Sequence, residues 1–277
     1  WDVCSDVTAD NGTATDEFVG SVRCVYEPGR WPSSRRGRGA LADAETSTAS
    51  PVRKNADLPV RVVSAVVMIA LAVGALVAGA PWLGWFILAV TLATMVEFVL
   101  LMVKATPSVA FRLAGILGGA IYIGLAGYML ARFPLPLVVG VIGAVVFVDS
   151  FAYFFGRTLG GPKIAPSISP SKTWAGLLGG IVGATIWIAV WSYFVAPAMR
   201  GDAAAAIDVT RFGQMLGLGA LTAVAAQAGD FFESWLKRKA GVKDSSKLIP
   251  GHGGVFDRTD GMIPVVLLAG VLLGAAQ

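Results

Sequence analysis

The fold is decided by residues 60–80, VRVVSAVVMIALAVGALVAGA, and by residues 82–103, WLGWFILAVTLATMVEFVLLMV. A helix needs about 20 apolar residues to cross the hydrocarbon core of a bilayer, and each stretch supplies them. Further apolar segments follow at residues 113–130, 135–155, 174–196, 212–233 and 261–276, the last of them short. The pattern predicts an all-α, polytopic transmembrane protein with about seven spans and with cytoplasmic catalytic loops.

The composition excludes a soluble globular protein. Of 277 residues, 55% are hydrophobic and only 14% are charged, whereas soluble domains carry about 25% charged residues. The net charge of +4 does not indicate a nucleic-acid partner, because the basic residues fall between apolar blocks and not on one soluble face. The lipid bilayer is therefore the predicted partner.

The first 57 residues differ from the rest of the chain. They are rich in Ser, Thr, Ala, Asp, Gly and Arg and carry no sustained apolar period, so we predict a disordered polar head at 1–57 and a transmembrane domain at 58–277. The basic run at 35–38 is interpreted as part of a solvated tail rather than as a site for anionic lipid. No cleaved signal peptide is predicted, because the first apolar stretch begins near Leu58.

The basic residues between the predicted spans are distributed unequally. With the head in the cytoplasm, eleven fall in inside loops and three in outside loops. The eleven are Lys104, Arg112, Arg157, Lys163, Lys172, Lys237, Arg238, Lys239, Lys243, Lys247 and Arg258, and the three are Arg132, Arg200 and Arg211. By the positive-inside rule we expect a multi-pass protein of the cell (plasma) membrane whose N-terminus and active site are cytoplasmic.

Four acids lie inside apolar segments, where a carboxylate is costly unless it has a function. They are Glu97, Asp149, Asp230 and Glu233, and all four lie toward the predicted cytoplasmic ends. For Glu97 we favour interhelical hydrogen bonding and anchoring at the membrane interface. Asp230, Glu233 and Lys237 follow at spacings of three and four, so one helix face presents acid, acid and base.

The segment at 234–260 is the most informative part of the sequence. It reads SWLKRKAGVKDSSKLIPGHGGVFDRTD and contains four lysines, two arginines and three aspartates. Its basic side chains and the amides of its glycines are suited to a polyphosphate ligand. Asp257 and Asp260 are three residues apart, so in a helical turn they share a face and could hold Mg²⁺. Any metal site must use oxygen ligands, because only two cysteines and one histidine are present.

These residues also carry a family resemblance. The matching pieces are Ser234, Leu236-Lys237-Arg238, Lys243-Asp244, Ser246, Ile249-Pro250, His252-Gly253-Gly254 and Asp257-Arg258-Thr259-Asp260. Upstream, the matching pieces are Asp149, Tyr153 to Arg157, Ser169 to Gly176 and Gly229-Asp230. Together they resemble the signature of the phosphatidate cytidylyltransferase family across most of residues 145 to 262.

The resemblance implies transfer of CMP from CTP to phosphatidate, giving CDP-diacylglycerol and pyrophosphate. It implies Mg²⁺ as cofactor with room for a second cation, and it implies a homodimer. The residues assigned to catalysis are Asp257, Asp260, Lys237, Arg258 and His252. Those assigned to the substrates are Lys172, Ser171, Thr173, Arg238, Lys243, Lys247, Gly253, Gly254 and Asp149. The metal ligands are assigned to Asp230, Asp257 and Asp260. For His252, a phosphate hydrogen bond and a structural loop contact both remain open.

Two other functions compete with this interpretation. A CTP-dependent lipid kinase of the same broad fold would transfer the terminal phosphoryl group to a lipid alcohol. A transporter would also contain buried acids and glycine-rich helices, but we interpret the glycines at 176–183 as packing contacts. An ATP-driven pump is not favoured, because Ser171-Lys172-Thr173 lacks the glycine spacing of a Walker A motif.

Overall fold

The computed structural model describes residues 57–203 and 208–274, so the predicted head at 1–57 lies outside the described residues except for Asp57, which begins the first helix. The helices are α1 (Asp57–Ala78), α2 (Trp82–Ala105), α3 (Val109–Arg132), α4 (Leu135–Thr158), α5 (Trp174–Val190), α6 (Ala196–Arg200), α7 (Phe212–Ala240), α8 (Phe256–Thr259) and α9 (Met262–Gly274). A π-helical turn at Trp191–Val195 makes α5 and α6 one continuous span, and a 3₁₀ turn at Val209–Arg211 precedes α7. A short antiparallel hairpin joins α4 to α5, with β1 at Lys163–Ala165 and β2 at Ser169–Thr173.

The predicted all-α, polytopic architecture is confirmed. In the described part of the chain, six helices are long and apolar enough to cross a membrane, and α9 is a shorter apolar helix of 13 residues. The spanning helices expose large apolar side chains, among them Val62, Trp85, Phe111, Leu178 and Leu221. Such an outer surface requires lipid and not water as its solvent.

Local signals set the helix ends that matter for the site. Thr173 ends β2 and caps α5, since its hydroxyl accepts a hydrogen bond from the Gly176 amide at 3.1 Å. At the C-terminal end of α7, Gly241 adopts a left-handed conformation with φ of 66° and ends the helix. Three basic residues occupy the last turn of α7, where they oppose the negative end of the helix dipole. These two ends bring the hairpin and the segment after α7 to the same end of the helix bundle.

Glycines allow α4 and α5 to pack closely. A methyl group on Gly179 would lie 2.7 Å from the Phe151 carbonyl oxygen, and one on Gly183 would lie 2.6 Å from that of Phe147. No side chain could occupy either position without moving the helices apart. The interpretation of the 176–183 glycines as packing contacts is therefore confirmed.

A second close approach joins α7 to the start of α9. A methyl group on Gly229 would collide with the Asp260 carbonyl oxygen, and one on Gly261 would lie 3.3 Å from the Ala226 carbonyl oxygen. The contact places Asp230, the residue after Gly229, beside Asp260.

Aromatic side chains of α2, α7 and α8 pack against one another at this end of the bundle. Phe98 of α2 meets Phe256 edge-to-face at 5.9 Å and stacks on Phe232 of α7 at 6.3 Å, measured between ring centroids. Phe98 and Phe256 are each about 1% exposed. These contacts fix α8 against α2 and α7.

Candidate active site

A cleft of about 440 Å³ opens between α4, the hairpin, α5 and α7. Its walls include Asp149, Ser171, Lys172, Thr173 and Asp230. Four of these were predicted to bind substrate and the fifth to bind metal, although they come from three separate parts of the sequence. The structure therefore brings one part of the predicted site together.

Among the described residues, Lys172 is the one lysine that lines this cleft. It extends from β2, forms an ion pair with the Asp230 carboxylate and lies over the Phe231 ring at 4.9 Å from the centroid. The hairpin thus directs the Lys172 ammonium group into the cleft, and Asp230 of α7 supplies the opposite charge.

Three acids form a compact group beside the cleft. Oxygens of Asp230, Glu233 and Asp260 all lie within 4.8 Å of one another. Glu233 is 1% exposed; its Oε2 pairs with the Lys237 ammonium at 2.6 Å, while its Oε1 has no hydrogen-bond partner among the described residues. Because a buried carboxylate oxygen normally has a partner, the free Oε1 is suited to a cation held by oxygen ligands.

The acids of this group also interact electrostatically. Burial, together with the neighbouring Asp230 charge, raises the pKa of Asp260 to about 7, although a hydrogen bond from the Gly261 amide opposes the shift. Asp149 adds to the rise and Lys172 reduces it. The acids of the cleft and of the three-acid group therefore form one electrostatic unit.

Asp257 is not a member of the three-acid group. Its oxygens accept hydrogen bonds from the Lys237 ammonium at 2.9 Å, the Gly254 amide at 2.8 Å, and the amide and hydroxyl of Ser245, each at 3.0 Å. Burial opposes ionisation, but the neighbouring Glu233 side chain and hydrogen bonds from Gly254, Lys237 and Ser245 outweigh it and hold the pKa of Asp257 well below its usual range. The carboxylate is saturated by protein donors, and its assignment as a metal ligand stays a prediction.

The glycines of the signature approach acids of the protein itself. A methyl group on Gly253 would lie 2.6 Å from an Asp257 oxygen, and one on Gly254 would collide with Glu97 and Ser245. The close approach to an anion that the sequence suggested is therefore present, and here the anion is a carboxylate of the protein. Phosphate binding by these glycines stays a prediction.

His252 forms a contact between this segment and α1. Its Nδ1 lies 2.8 Å from the Ser64 hydroxyl, and its carbonyl oxygen accepts a hydrogen bond from Arg258 at 2.8 Å. This arrangement matches the structural loop contact that was one of the two interpretations of His252. It also ties the Arg258 guanidinium to the same turn.

The remaining basic residues of the site lie at the surface. Arg238, Lys243 and Lys247 are exposed, and Arg238 makes a long hydrogen bond of 3.4 Å to the Ile168 carbonyl oxygen. Within the described part of the chain, no carboxylate lies within 4.0 Å of these three side chains. They are free to meet an incoming anion, as predicted for the substrate phosphates.

Sequence reasoning missed two acidic residues of this region as members of the site. Glu233 was noticed on the acidic face of α7 but was not assigned to the metal, although its spacing of four from Lys237 signalled the pair. Glu97 was interpreted as an interhelical hydrogen-bonding residue and an interface anchor. It does accept hydrogen bonds, but three of the four come from outside the helices, their donors lie about 150 residues away, and no local pattern indicates them.

Comparison with known proteins places most of this site in one family. The family model described as "Cytidylyltransferase family" matches residues 131–275, slightly more than half of the chain. The chain belongs to the cytidylyltransferase family. The match contains the cleft, the three-acid group and Asp257, and it begins after Glu97.

Curated relatives in this family carry a more specific name. The chain is 38% identical over 137 residues to a phosphatidate cytidylyltransferase of Brucella abortus biovar 1 (strain 9-941), covering 49% of this chain and 46% of that protein. It is 41% identical over 118 residues to that of Haemophilus influenzae, covering 43% and 38%, and 39% identical over 131 residues to that of Rickettsia felis, covering 45% and 54%. The chain thus matches about half the length of these relatives.

Proposed function

We propose that this cytidylyltransferase transfers CMP from CTP to phosphatidate, giving CDP-diacylglycerol and pyrophosphate in phospholipid biosynthesis. The observation that carries the proposal is the three-acid group of Asp230, Glu233 and Asp260 beside a lysine-lined cleft within a bundle of membrane helices. The relatives named phosphatidate cytidylyltransferase support the choice of substrates.

The three-acid group fits a magnesium ion. Asp230, Glu233 and Asp260 would hold it, and the unpartnered Oε1 of Glu233 is the feature that favours an added ligand there. When bound, the ion would offset the negative charge of the nucleotide phosphates and of the departing pyrophosphate. Magnesium dependence and a second cation both belong to this proposal. The Asp257 oxygens are already held by Lys237, Ser245 and Gly254, so Asp257 as a further ligand is not part of it.

The transfer needs no activated side-chain nucleophile. A phosphomonoester has a second pKa near 6, so phosphatidate is largely a dianion at neutral pH. One of its phosphate oxygens forms a bond to the α-phosphorus of CTP, while the bond from that phosphorus to the oxygen bridging to the β-phosphate breaks. The displaced electron pair leaves with pyrophosphate, so the main task of the protein is to hold two anions in line.

We assign this task to separate sets of basic residues. Lys172 lies in the cleft and is suited to the phosphates of the reacting molecules. Arg238, Lys243 and Lys247 are exposed at the mouth of the site and are suited to capture of the polyphosphate. Lys237 is committed to two carboxylates, so its contribution is to orient them.

The proposal includes an orientation in the membrane. The site lies at the ends of α2, α4 and α7 that the positive-inside asymmetry assigns to the cytoplasm, where CTP is available. We also include the plasma membrane as location and a homodimer as assembly, both on the grounds given by the sequence.

The decisive experiment separates cytidylyl transfer from phosphoryl transfer. The full chain in detergent is given phosphatidate or, in a parallel reaction, diacylglycerol, together with CTP labelled either at the α-phosphorus or at the γ-phosphorus, and the extracted lipid is counted. We expect label in lipid only from the α-position, with release of one pyrophosphate per product. Label only from the γ-position, with diacylglycerol as acceptor, would establish a lipid kinase instead, and no label from either would refute both.

A further inference from the structure

Glu97 lies near the end of α2, and its role is not explained by the cleft or by the three-acid group. The residue is 3% exposed. Its carboxylate accepts four hydrogen bonds: from the hydroxyls of Ser245 at 2.9 Å and Ser246 at 2.6 Å, and from the amides of Val255 at 3.0 Å and Phe256 at 2.8 Å. Within the described residues no basic side chain lies within 4.0 Å of it, so these donors alone compensate its charge.

All four donors belong to the segment between α7 and α9. Two stand at residues 245–246 and two at the start of α8, so one carboxylate holds both ends of the turn at 247–254. A methyl group on Gly254 would collide with the Glu97 and Ser245 oxygens, which shows how closely the turn is drawn onto α2. We call this arrangement the Glu97 clamp.

Hydrogen bonds connect the Glu97 clamp to the acids of the site through Ser245. The Ser245 hydroxyl lies between Glu97 and Asp257, at 2.9 and 3.0 Å from their oxygens, and its single proton is shared between them. Asp257 then meets Lys237, which meets Glu233 of the three-acid group. One continuous network thus connects α2 to that group.

A second tether acts one turn earlier on α2. The Thr94 hydroxyl lies 3.2 Å from that of Thr259, the residue immediately before Asp260. With Phe256 also bound to Glu97, α8 is fixed to α2 at both of its ends. The position of Asp260 relative to α7 therefore depends on α2.

We propose that Glu97 is a positioning residue for the transfer reaction: its clamp sets the location of Asp257 and Asp260 against the acids of α7. This inference rests on the proposed function. Glu97 precedes the region that matches the family, and it acts through Ser245 and α8 without touching substrate. A carboxylate is required, because four donors converge on two oxygens and an amide could accept from only one side.

The test is Glu97→Gln, with Thr91→Val as matched control. Thr91 lies on the same helix and bonds only to the Ile87 carbonyl oxygen one turn away, so its loss leaves the clamp intact. Two properties are measured on the folded full chain: kcat and KM for CTP across a magnesium titration, and hydrogen exchange of the amides at 243–256 without substrate. For Glu97→Gln we expect kcat to fall about 10- to 100-fold, as for other residues that orient ligands, with a smaller change in KM. We expect amide exchange to be at least about tenfold faster, because hydrogen bonds to a charged acceptor are lost.

The two measurements separate the possible failures. If Glu97 had a merely structural role, the variant would give less folded protein, and total activity and total binding would fall in the same proportion. The kcat per folded molecule would not change, and that result would overturn the inference. Unchanged exchange at 243–256 would overturn the clamp itself. Absence of cytidylyl transfer in the wild-type chain would instead overturn the proposed function, and the positioning role with it.

Further variants keep the test decisive if Glu97→Gln does not fold. Ser246→Ala removes the 2.6 Å hydrogen bond to Glu97 and the one that Ser246 accepts from the Leu248 amide at 3.0 Å, and it keeps the Glu97 charge. With the Leu248 amide left out of the comparison, we expect changes in the same direction but smaller. Glu97→Asp keeps the charge on a shorter side chain and should restore part of the activity. Wild-type kcat and exchange in Ser246→Ala, or no recovery in Glu97→Asp relative to Glu97→Gln, would contradict the proposal.

Discussion

Asp257→Asn is the substitution for which the structure gives the clearest magnitude. The Asp257 side chain is 9% exposed and each of its oxygens has at least two protein donors. Asparagine keeps one acceptor oxygen and replaces the other by an NH₂ group, which then faces either Lys237 and Ser245 or Gly254 and Ser245. Two hydrogen bonds to a charged acceptor are lost in either orientation, at about 1.5–3 kcal/mol each, so we expect a local cost of about 3–6 kcal/mol.

This cost exceeds the roughly 1 kcal/mol expected if Asp257 only capped a helix. It corresponds to an increase of about 10²- to 10⁴-fold in local opening of the segment at 243–256, which hydrogen exchange measures directly. The spanning helices keep their packing, so the variant should remain folded in detergent. We expect cytidylyl transfer to be abolished, and we expect neither high magnesium nor manganese to restore it, because the lost contacts are with protein donors.

The refuting results are specific to each part of the reasoning. Recovery of turnover at high magnesium or manganese would show that Asp257 is a metal ligand, as the sequence suggested. Near-normal turnover with wild-type exchange would refute both roles. Asp202→Asn is the matched control, because Asp202 is an exposed acid paired only with Arg200, and it should leave activity and exchange unchanged.

The effect of Asp257→Asn should not depend on pH near neutrality. The folded-state pKa of Asp257 is held below its ordinary value of about 3.9. Its contribution to stability is therefore fully present above that ordinary value, and it is lost only as the pH falls through the lower folded pKa. The difference in thermal stability between variant and wild type should stay constant from neutral to mildly acidic pH and shrink only in strong acid.

Further predictions address the cation, the topology and the head. Glu233→Gln should raise the magnesium concentration for half-maximal activity by about tenfold or more, and an unchanged requirement would remove Glu233 from the cation site. Leu248→Cys, in a chain whose Cys4 and Cys24 are changed to serine, should react with an impermeant maleimide only from the cytoplasmic side, since Leu248 is 61% exposed; labelling only from outside would invert the topology. Deletion of residues 1–50 should leave turnover intact, and loss of activity in a folded truncation would assign a role to the head.

Hydropathy predicted the fold well because membrane helices obey a single dominant constraint. Backbone groups in lipid must be satisfied within the helix, so length and apolarity suffice to find the spans. The short α9 was the one segment whose length fell below the requirement, and the structure gives it 13 residues. The hairpin of β1 and β2 was not predicted, because the five residues of β2, four polar residues and a proline, carry no periodic signal.

The site was predicted less completely, because local sequence does not report which carboxylate a loop will meet. Asp257 and Asp260 were expected to share one ion on the basis of spacing within a helical turn. In the structure Asp257 bonds to Ser245 and Gly254, while Asp260 joins Asp230 across the close contact at Gly229. Only the folded path of the chain decides between those partners.

The charges of the site explain why a cation and a separate set of surface bases are both needed. Five acids lie close together and four basic residues lie near them. The acids are Asp149, Asp230, Glu233, Asp257 and Asp260, and the bases are Lys172, Lys237, Arg157 and Arg258. Both lysines are already paired, Lys172 with Asp230 and Lys237 with two carboxylates. Two anionic substrates would therefore enter a region of negative charge, which disfavours their approach at short range. A divalent ion at the three-acid group and exposed Lys243 and Lys247 at the mouth of the site would reverse that sign where the phosphates arrive.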